Sequence, residues 1–168
     1  MHSVFFEVVM SEISAEVLAG LLICAAMYGL ERRCKRGIYR AVCAAAMGVW
    51  LAAVLYLTTL SRVPIFEVRY SLRLFDHYTL PDWYGFVQNA ALFLPAGFVA
   101  CCLFERLPKW KTALIGAGLS LGIELAQLIT HRGICDINDL TANVCGWCMG
   151  VFLWMPLNKA FGSRKSAE

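Results

Sequence analysis

The chain reads as an all-α integral membrane protein, a bundle of about five transmembrane helices, amino terminus outside and carboxyl terminus cytoplasmic, and three observations predict this. Its 168 residues are 60% hydrophobic and only 16% charged, with a mean hydropathy of +0.62, whereas a soluble domain carries about a quarter charged residues. Apolar runs of bilayer-crossing length, about 20 residues, recur along it. Lysine and arginine collect in alternate connections, the asymmetry that separates cytoplasmic links from external ones.

The apolar runs lie at residues 13–31, 41–60, 86–104, 112–130 and 139–157. Before the first, "VFFEVVMSEI" reads either as a segment lying in the outer interface, with Phe5, Phe6, Val9 and Ile13 towards lipid, or as an early start of the first helix. That span lacks the basic leader and small-residue cleavage pattern of a signal peptide, so it is expected to be retained. The link after it holds Arg32, Arg33, Lys35, Arg36 and Arg40; the third link holds Arg106, Lys109 and Lys111; the tail holds Lys159, Arg164 and Lys165. These ends are predicted to be cytoplasmic. The amino-terminal segment offers Glu7, Glu12 and Glu16 and no Lys or Arg, and the second and fourth links offer Arg62, Arg69, Arg73 and Arg132. An odd number of spans agrees with this orientation.

The links are too short for a soluble domain, and no fixed-period repeat or low-complexity segment interrupts the chain, so residues 1–168 read as a single membrane domain. The net charge of +3 follows the topology of the links and calls for no nucleic-acid partner. Most of the eight cysteines fall inside spans, with Cys34 on the cytoplasmic side and Cys135 outside, which is not a disulfide framework. Cys145 and Cys148 spell CxxC, but no second ligand pair accompanies them, and they read as small packing residues. In the second link, Tyr78, Trp83 and Tyr84 suit an aromatic belt at the interface, and His77 beside Asp76 reads as an exposed turn.

Polarity concentrates around "HRGICDINDLTANVCGW", His131–Trp147. At 100° per residue Ala113, Ala117, Ser120, Glu124, Gln127 and His131 form one stripe of the fourth span, small at its inner end and polar at its outer end. Glu124 lies about 9 Å inside the outer end of that span. A carboxylate facing lipid at that depth costs several kcal/mol, so this stripe must face protein. On the fifth span Asp139, Asn143, Gly146 and Gly150 share a face, and the GxxxG spacing permits close approach of another helix. The two polar faces are expected to meet. Asp136 is placed to cap the fifth span, with Asp139 in its first turn. In "QNAALFLPAGF", Asn89 opens the third span, and Pro95 with Gly97 is expected to bend or loosen it.

These residues resemble the VanZ-like membrane protein family. The resemblance rests on "NAALFLPAGF" and "SLGIELAQLITHRGICDINDLTANVCGWCMG", matching Asn89, Phe93, Pro95, Gly97, Glu124, Gln127, Arg132, Asp136, Asp139, Asn143 and Gly146; "TLSRVP" adds Arg62. It covers residues 40–157. It implies a multi-pass protein of the bacterial cell membrane and, because a member of the family is linked to teicoplanin resistance, a role in cell-envelope susceptibility. It brings no settled reaction.

Two classes of function remain. One is a binding or modulating protein whose outer-leaflet site, built from Asn89, Glu124, Gln127, Arg132, Asp136, Asp139, Asn143 and Arg62, engages a membrane lipid or a lipid-linked or amphipathic ligand. In it Arg62 and Arg132, with Arg73 as a third, face an anionic headgroup. The other is an intramembrane enzyme acting on a lipid-linked envelope substrate with Glu124 as general acid or base. No nucleophile motif supports the second: His131 lies two turns from Glu124, too far for a compact triad with Ser120. Oxygen ligation of Ca²⁺ or Mg²⁺ by the carboxylates is conceivable, but "DINDL" lacks the glycine and terminal glutamate of an EF-hand loop. No cofactor or metal is expected. Transport is disfavoured by the lack of an inverted repeat, and a homo-oligomer through glycine-rich helix faces stays open.

Overall fold

The computed structural model describes residues 2–64, 67 and 69–165, and the side chains of 15–64, 67 and 69–159. Along these residues run α1 (His2–Arg33), α2 (Arg36–Leu55) with a π turn at Tyr56–Leu60, β1 (Tyr70–Ser71), α3 (Leu80–Leu103), α4 (Lys109–Thr130), β2 (Cys135–Asp136) and α5 (Ile137–Lys165). Four helical segments among the described residues are long and apolar enough to cross a membrane: Arg36–Leu60, Leu80–Leu103, Lys109–Thr130 and Ile137–Lys159. The expected first span lies within α1. Its lead-in is helical from His2, as an early start requires; which way Phe5, Phe6, Val9 and Ile13 face lies outside the described residues.

The spans begin two to six residues before the apolar runs do, because polar residues build their first turns. At α3 the Thr79 N–H donates to Asp82 Oδ2 at 2.7 Å, the Thr79 hydroxyl bonds the same carboxylate, and Pro81 occupies the first turn. This capping box satisfies donors that a helix start leaves orphaned. α4 begins after Pro108, and α5 after Asp136.

Helix α3 is the axis of the fold. From Phe93 to Cys102 every residue is buried, as befits a helix apolar on all faces. Its longest seam is with α5, where Gly146 lies against the Ala90 backbone and Gly150 against that of Leu94 and Phe98. The close partner of the GxxxG face is thus α3 of the same chain. Gly118 and Gly122 on α4, by contrast, have nothing within 4 Å among the described residues. Pro95 is accommodated inside α3, beside Gly20 of α1. The absent Pro95 N–H leaves the Ala91 carbonyl without its usual helical donor, and Gly20 lets α1 lie against that turn.

Trp147 locks α3, α4 and α5 together. It is 1% exposed, sits where Gly97 and Gly116 leave room, and donates its Nε1–H to the Thr112 carbonyl at 2.9 Å. Trp50 of α2 meets Trp147 and Phe93 edge-on and donates to the Leu92 carbonyl at 2.9 Å. A buried or half-buried indole whose N–H is satisfied brings a large apolar area to the packing while keeping its polar group bonded. At the end of the bundle remote from the Arg- and Lys-rich links, β1 pairs in parallel with β2, Tyr70 opposite Cys135 and Ser71 opposite Asp136. This bridge ties the loop between α2 and α3 onto the α4–α5 link.

Candidate functional site

The site is assembled from helix ends: C-terminal ends leave carbonyls that need donors, and N-terminal ends leave N–H groups that need acceptors. In the last turns of the α2 segment, the Thr58 and Ser61 hydroxyls bond back to the Val54 and Leu57 carbonyls at 2.7 and 3.1 Å, and the Ser61 N–H reaches Tyr56. The carbonyls of Thr58, Leu60 and Arg62 are served from α4. Gln127 Nε2 donates to Thr58 at 2.9 Å, and Arg132 Nη1 to Leu60 and Arg62 at 2.9 and 3.1 Å. Gln127 and Arg132 therefore clamp the end of α2.

His131 closes α4 in the left-handed region, with φ of 55°, and is exposed. The Arg132 N–H reaches the Gln127 carbonyl at 3.1 Å and the His131 N–H that of Leu128 at 3.4 Å, the paired bonds of a Schellman ending. This reversal aims Arg132 at α2. The predicted stripe accordingly holds through Ser120, Glu124 and Gln127, all buried, and loses His131 where the helix stops.

Glu124, 3% exposed, accepts the Asp136 N–H through Oε2 at 2.9 Å. Asp136 caps α5: its Oδ1 accepts the Asn138 N–H at 2.8 Å. The carboxylate of the α4 helix thus holds the start of the α5 helix, the element that carries Asp139. Asn89 of α3 lies close to Asp139, and Arg62 lies near enough to attract both Glu124 and Asp139. The exposed Arg62 side chain has no hydrogen bond or ion pair among the described residues. One turn further along α5, buried Asn143 donates to Ser120 Oγ of α4 at 3.0 Å, so the two polar faces do meet. The side-chain carbonyl oxygens of Gln127 and Asn143 are buried and have no partner among the described residues.

Two groups outside the spans register this concentration of negative charge. The Cys135 thiol pKa is pushed up by burial, then by Glu124 and Asp136. The Tyr78 hydroxyl is pushed up by burial and then by Asp139, Asp136 and Asp82, so Tyr78 borders the carboxylates as well as belonging to the aromatic group with Phe75 and Trp83.

Of the residues singled out in the sequence, the structure brings Asn89, Glu124, Asp136, Asp139 and the Arg62 side chain together. Gln127 and Arg132 sit beside them facing α2, and Asn143 lies one turn deeper. Arg73 does not join: it pairs with Asp76 at 2.9 Å on the exposed loop. Among the described residues no three His, Cys, Asp or Glu side chains are arranged to hold a metal ion. The sequence offers Asn138 only as an alternative to Asp136 as cap, and it is not among the candidate site residues. It is 5% exposed, accepts the Phe75 N–H at 2.9 Å and donates to the Arg73 carbonyl and Asp136 Oδ1, fastening the α2–α3 loop over the site. An amide between two aspartates at a span boundary was the available signal.

Comparison with known proteins places the same residues in a family. Protein VanZ of Enterococcus faecium is 29% identical over 125 residues, covering 66% of this chain and 76% of that protein. No solved structure matches the chain. The VanZ/LLP1 family model matches residues 21–159, a stretch that contains every helix end and side chain of the site. With most of its length matched, the chain belongs to the VanZ/LLP1 family.

Proposed function

We propose that this protein modulates cell-envelope susceptibility to teicoplanin-like lipoglycopeptides, engaging a lipid or amphipathic ligand in the outer half of the bilayer through the polar site. In this reading the chain is one multi-pass domain of the bacterial cell membrane. Helix α1 is the fifth span, the amino terminus lies outside, and the basic links and carboxyl terminus face the cytoplasm. The family supports the setting. One observation carries the site: Arg62 is exposed and, among the described residues, unpaired near Glu124 and Asp139, while Glu124, Gln127, Arg132 and Asp136 are engaged in holding the backbone. A guanidinium so placed suits an anionic group on the ligand.

The alternative, an intramembrane enzyme using Glu124 as general acid or base, has less support because Glu124 Oε2 already accepts the Asp136 N–H and Ser120 Oγ is bonded to Asn143. The test is teicoplanin susceptibility of cells expressing variants at matched membrane abundance. Arg62→Gln breaks no hydrogen bond or ion pair among the described residues and is expected to abolish most of the protection, with Asp139→Asn close behind. Cys145→Ala, on the exposed side of α5, is expected to be silent. Full protection by an abundant Arg62→Gln protein would refute the site.

A further inference from the structure

The opposite end of the bundle carries a second built feature. A cavity of about 460 Å³ opens between the start of α2 and the link from α3 to α4, with Arg36, Arg40 and Arg106 in its wall. That volume is within the range of small-ligand pockets. Glu105 pairs with Arg36 at 2.6 Å and bridges the two sides of the cavity. Arg40 and Arg106 have no side-chain partner among the described residues. Three guanidiniums against one carboxylate leave the opening with a net positive charge, which favours an anion over a cation or a neutral group.

The helix termini add to this. Lys35 makes no side-chain cap, and the first turn of α2 contains no acidic residue, so the positive end of its dipole and its free N–H groups lie on the same side. Depth points to the source of the anion. Arg36 begins one candidate span, and Leu103, also in the cavity wall, ends the next. The cavity therefore lies at the level of lipid headgroups, and exposed Phe104 with Leu107 gives it an apolar side for the first part of an acyl chain.

We infer that this cavity binds the phosphate of an anionic phospholipid headgroup, held by Arg40 and Arg106 with Arg36 fixed beside them by Glu105. The inference does not depend on the polar site at the other end. The full-length protein, purified in dodecyl maltoside and delipidated, is titrated with phosphatidylglycerol, phosphatidylethanolamine or inorganic phosphate and read by native mass spectrometry. Phosphatidylglycerol is expected to bind most tightly. A basic side chain at an anionic surface is worth about fivefold, so Arg40→Gln with Arg106→Gln weakens binding roughly twenty-five-fold. Lys111→Gln, outside the cavity wall, keeps the parent affinity, and the Arg40→Lys and Arg106→Lys pair keeps most of it. Helical circular dichroism confirms that each variant is folded. Unchanged phosphatidylglycerol binding by the folded double Gln variant overturns the inference. Competition by inorganic phosphate at the same concentration as the lipid reassigns the site to a free anion and overturns the lipid source.

Discussion

Gly146→Ala tests the seam on which the candidate site is mounted. A Cβ at this position lies 2.0 Å from the Ala90 carbonyl oxygen, 2.6 Å from its carbon and 2.7 Å from Ala90 Cα. Ordinary contact begins at 3.4 Å, so α3 and α5 must part by about 1.4 Å, and a gap of even 1 Å forfeits up to half of each dispersion contact along it. All three obstacles are backbone atoms, which no rotamer change can move. Overpacking costs about 1–3 kcal/mol, and rigid obstacles place this case at or above 3. For a chain of this size that lowers the melting temperature by about 6 °C or more.

Gly118→Ala is the matched control. Nothing lies within 4 Å of its Cβ, and alanine gains up to about 1 kcal/mol in helix propensity. Both proteins are purified in the same detergent and melted by circular dichroism. The seam also positions the site, since Asn89 adjoins Ala90 and faces Asp139 two turns above Gly146. Gly146→Ala is therefore expected to lose protection as well as stability. Melting of Gly146→Ala within 2 °C of Gly118→Ala would refute the packing argument.

Two further outcomes follow from the α4–α5 link. Cys135, with other accessible cysteines removed, is expected to react with an impermeant maleimide from outside; reaction only after permeabilisation would reverse the proposed orientation. Because burial and the carboxylates raise its pKa, and thiolate is the reactive form, labelling accelerates as pH rises, and Asp136→Asn accelerates it at fixed pH. An unchanged rate in Asp136→Asn would separate Cys135 from the cluster. His131→Gly relieves a left-handed residue costing about 1 kcal/mol, so the melting temperature is expected to rise by about 2–4 °C; a lower value would mean that the His131 side chain holds the link.

How much of this was legible follows from where the information lies. Length, hydropathy and charge asymmetry are local, and they mark the four apolar helices to within a few residues. The errors at their starts arise because Thr79, Asp82 and Asp136 look like link residues but are caps whose side chains belong to the helix. Helical periodicity placed Ser120, Glu124 and Gln127 on one face. It could not say what that face meets, because the Thr58 carbonyl that takes Gln127 lies 69 residues away and becomes an acceptor only where α2 ends in a π turn. The GxxxG face was legible as a close-approach surface, and its partner was not, since Ala90 and Leu94 offer only backbone. Trp147 gave no signal that Gly116 would make room for its ring or Gly97 for its backbone.

The accounting of backbone groups separates two roles that the sequence runs together. A basic or amide side chain at a span boundary has two uses: supplying donors to carbonyls that a helix end leaves bare, or facing the solvent side of the site. Arg132 does the first, since its Nη1 serves Leu60 and Arg62 together. The second is left to Arg62, whose own carbonyl is gripped by Arg132 while its side chain remains unpaired. Loss of Arg132 therefore removes two things at once: the donors for the exposed Leu60 and Arg62 carbonyls, and the anchor that holds the Arg62 backbone in place. A severe Arg132 phenotype would not by itself identify a ligand contact. The Arg62 side chain can be changed without opening the clamp, so the functional reading stands or falls on Arg62 and not on the arginine that the motif makes more conspicuous.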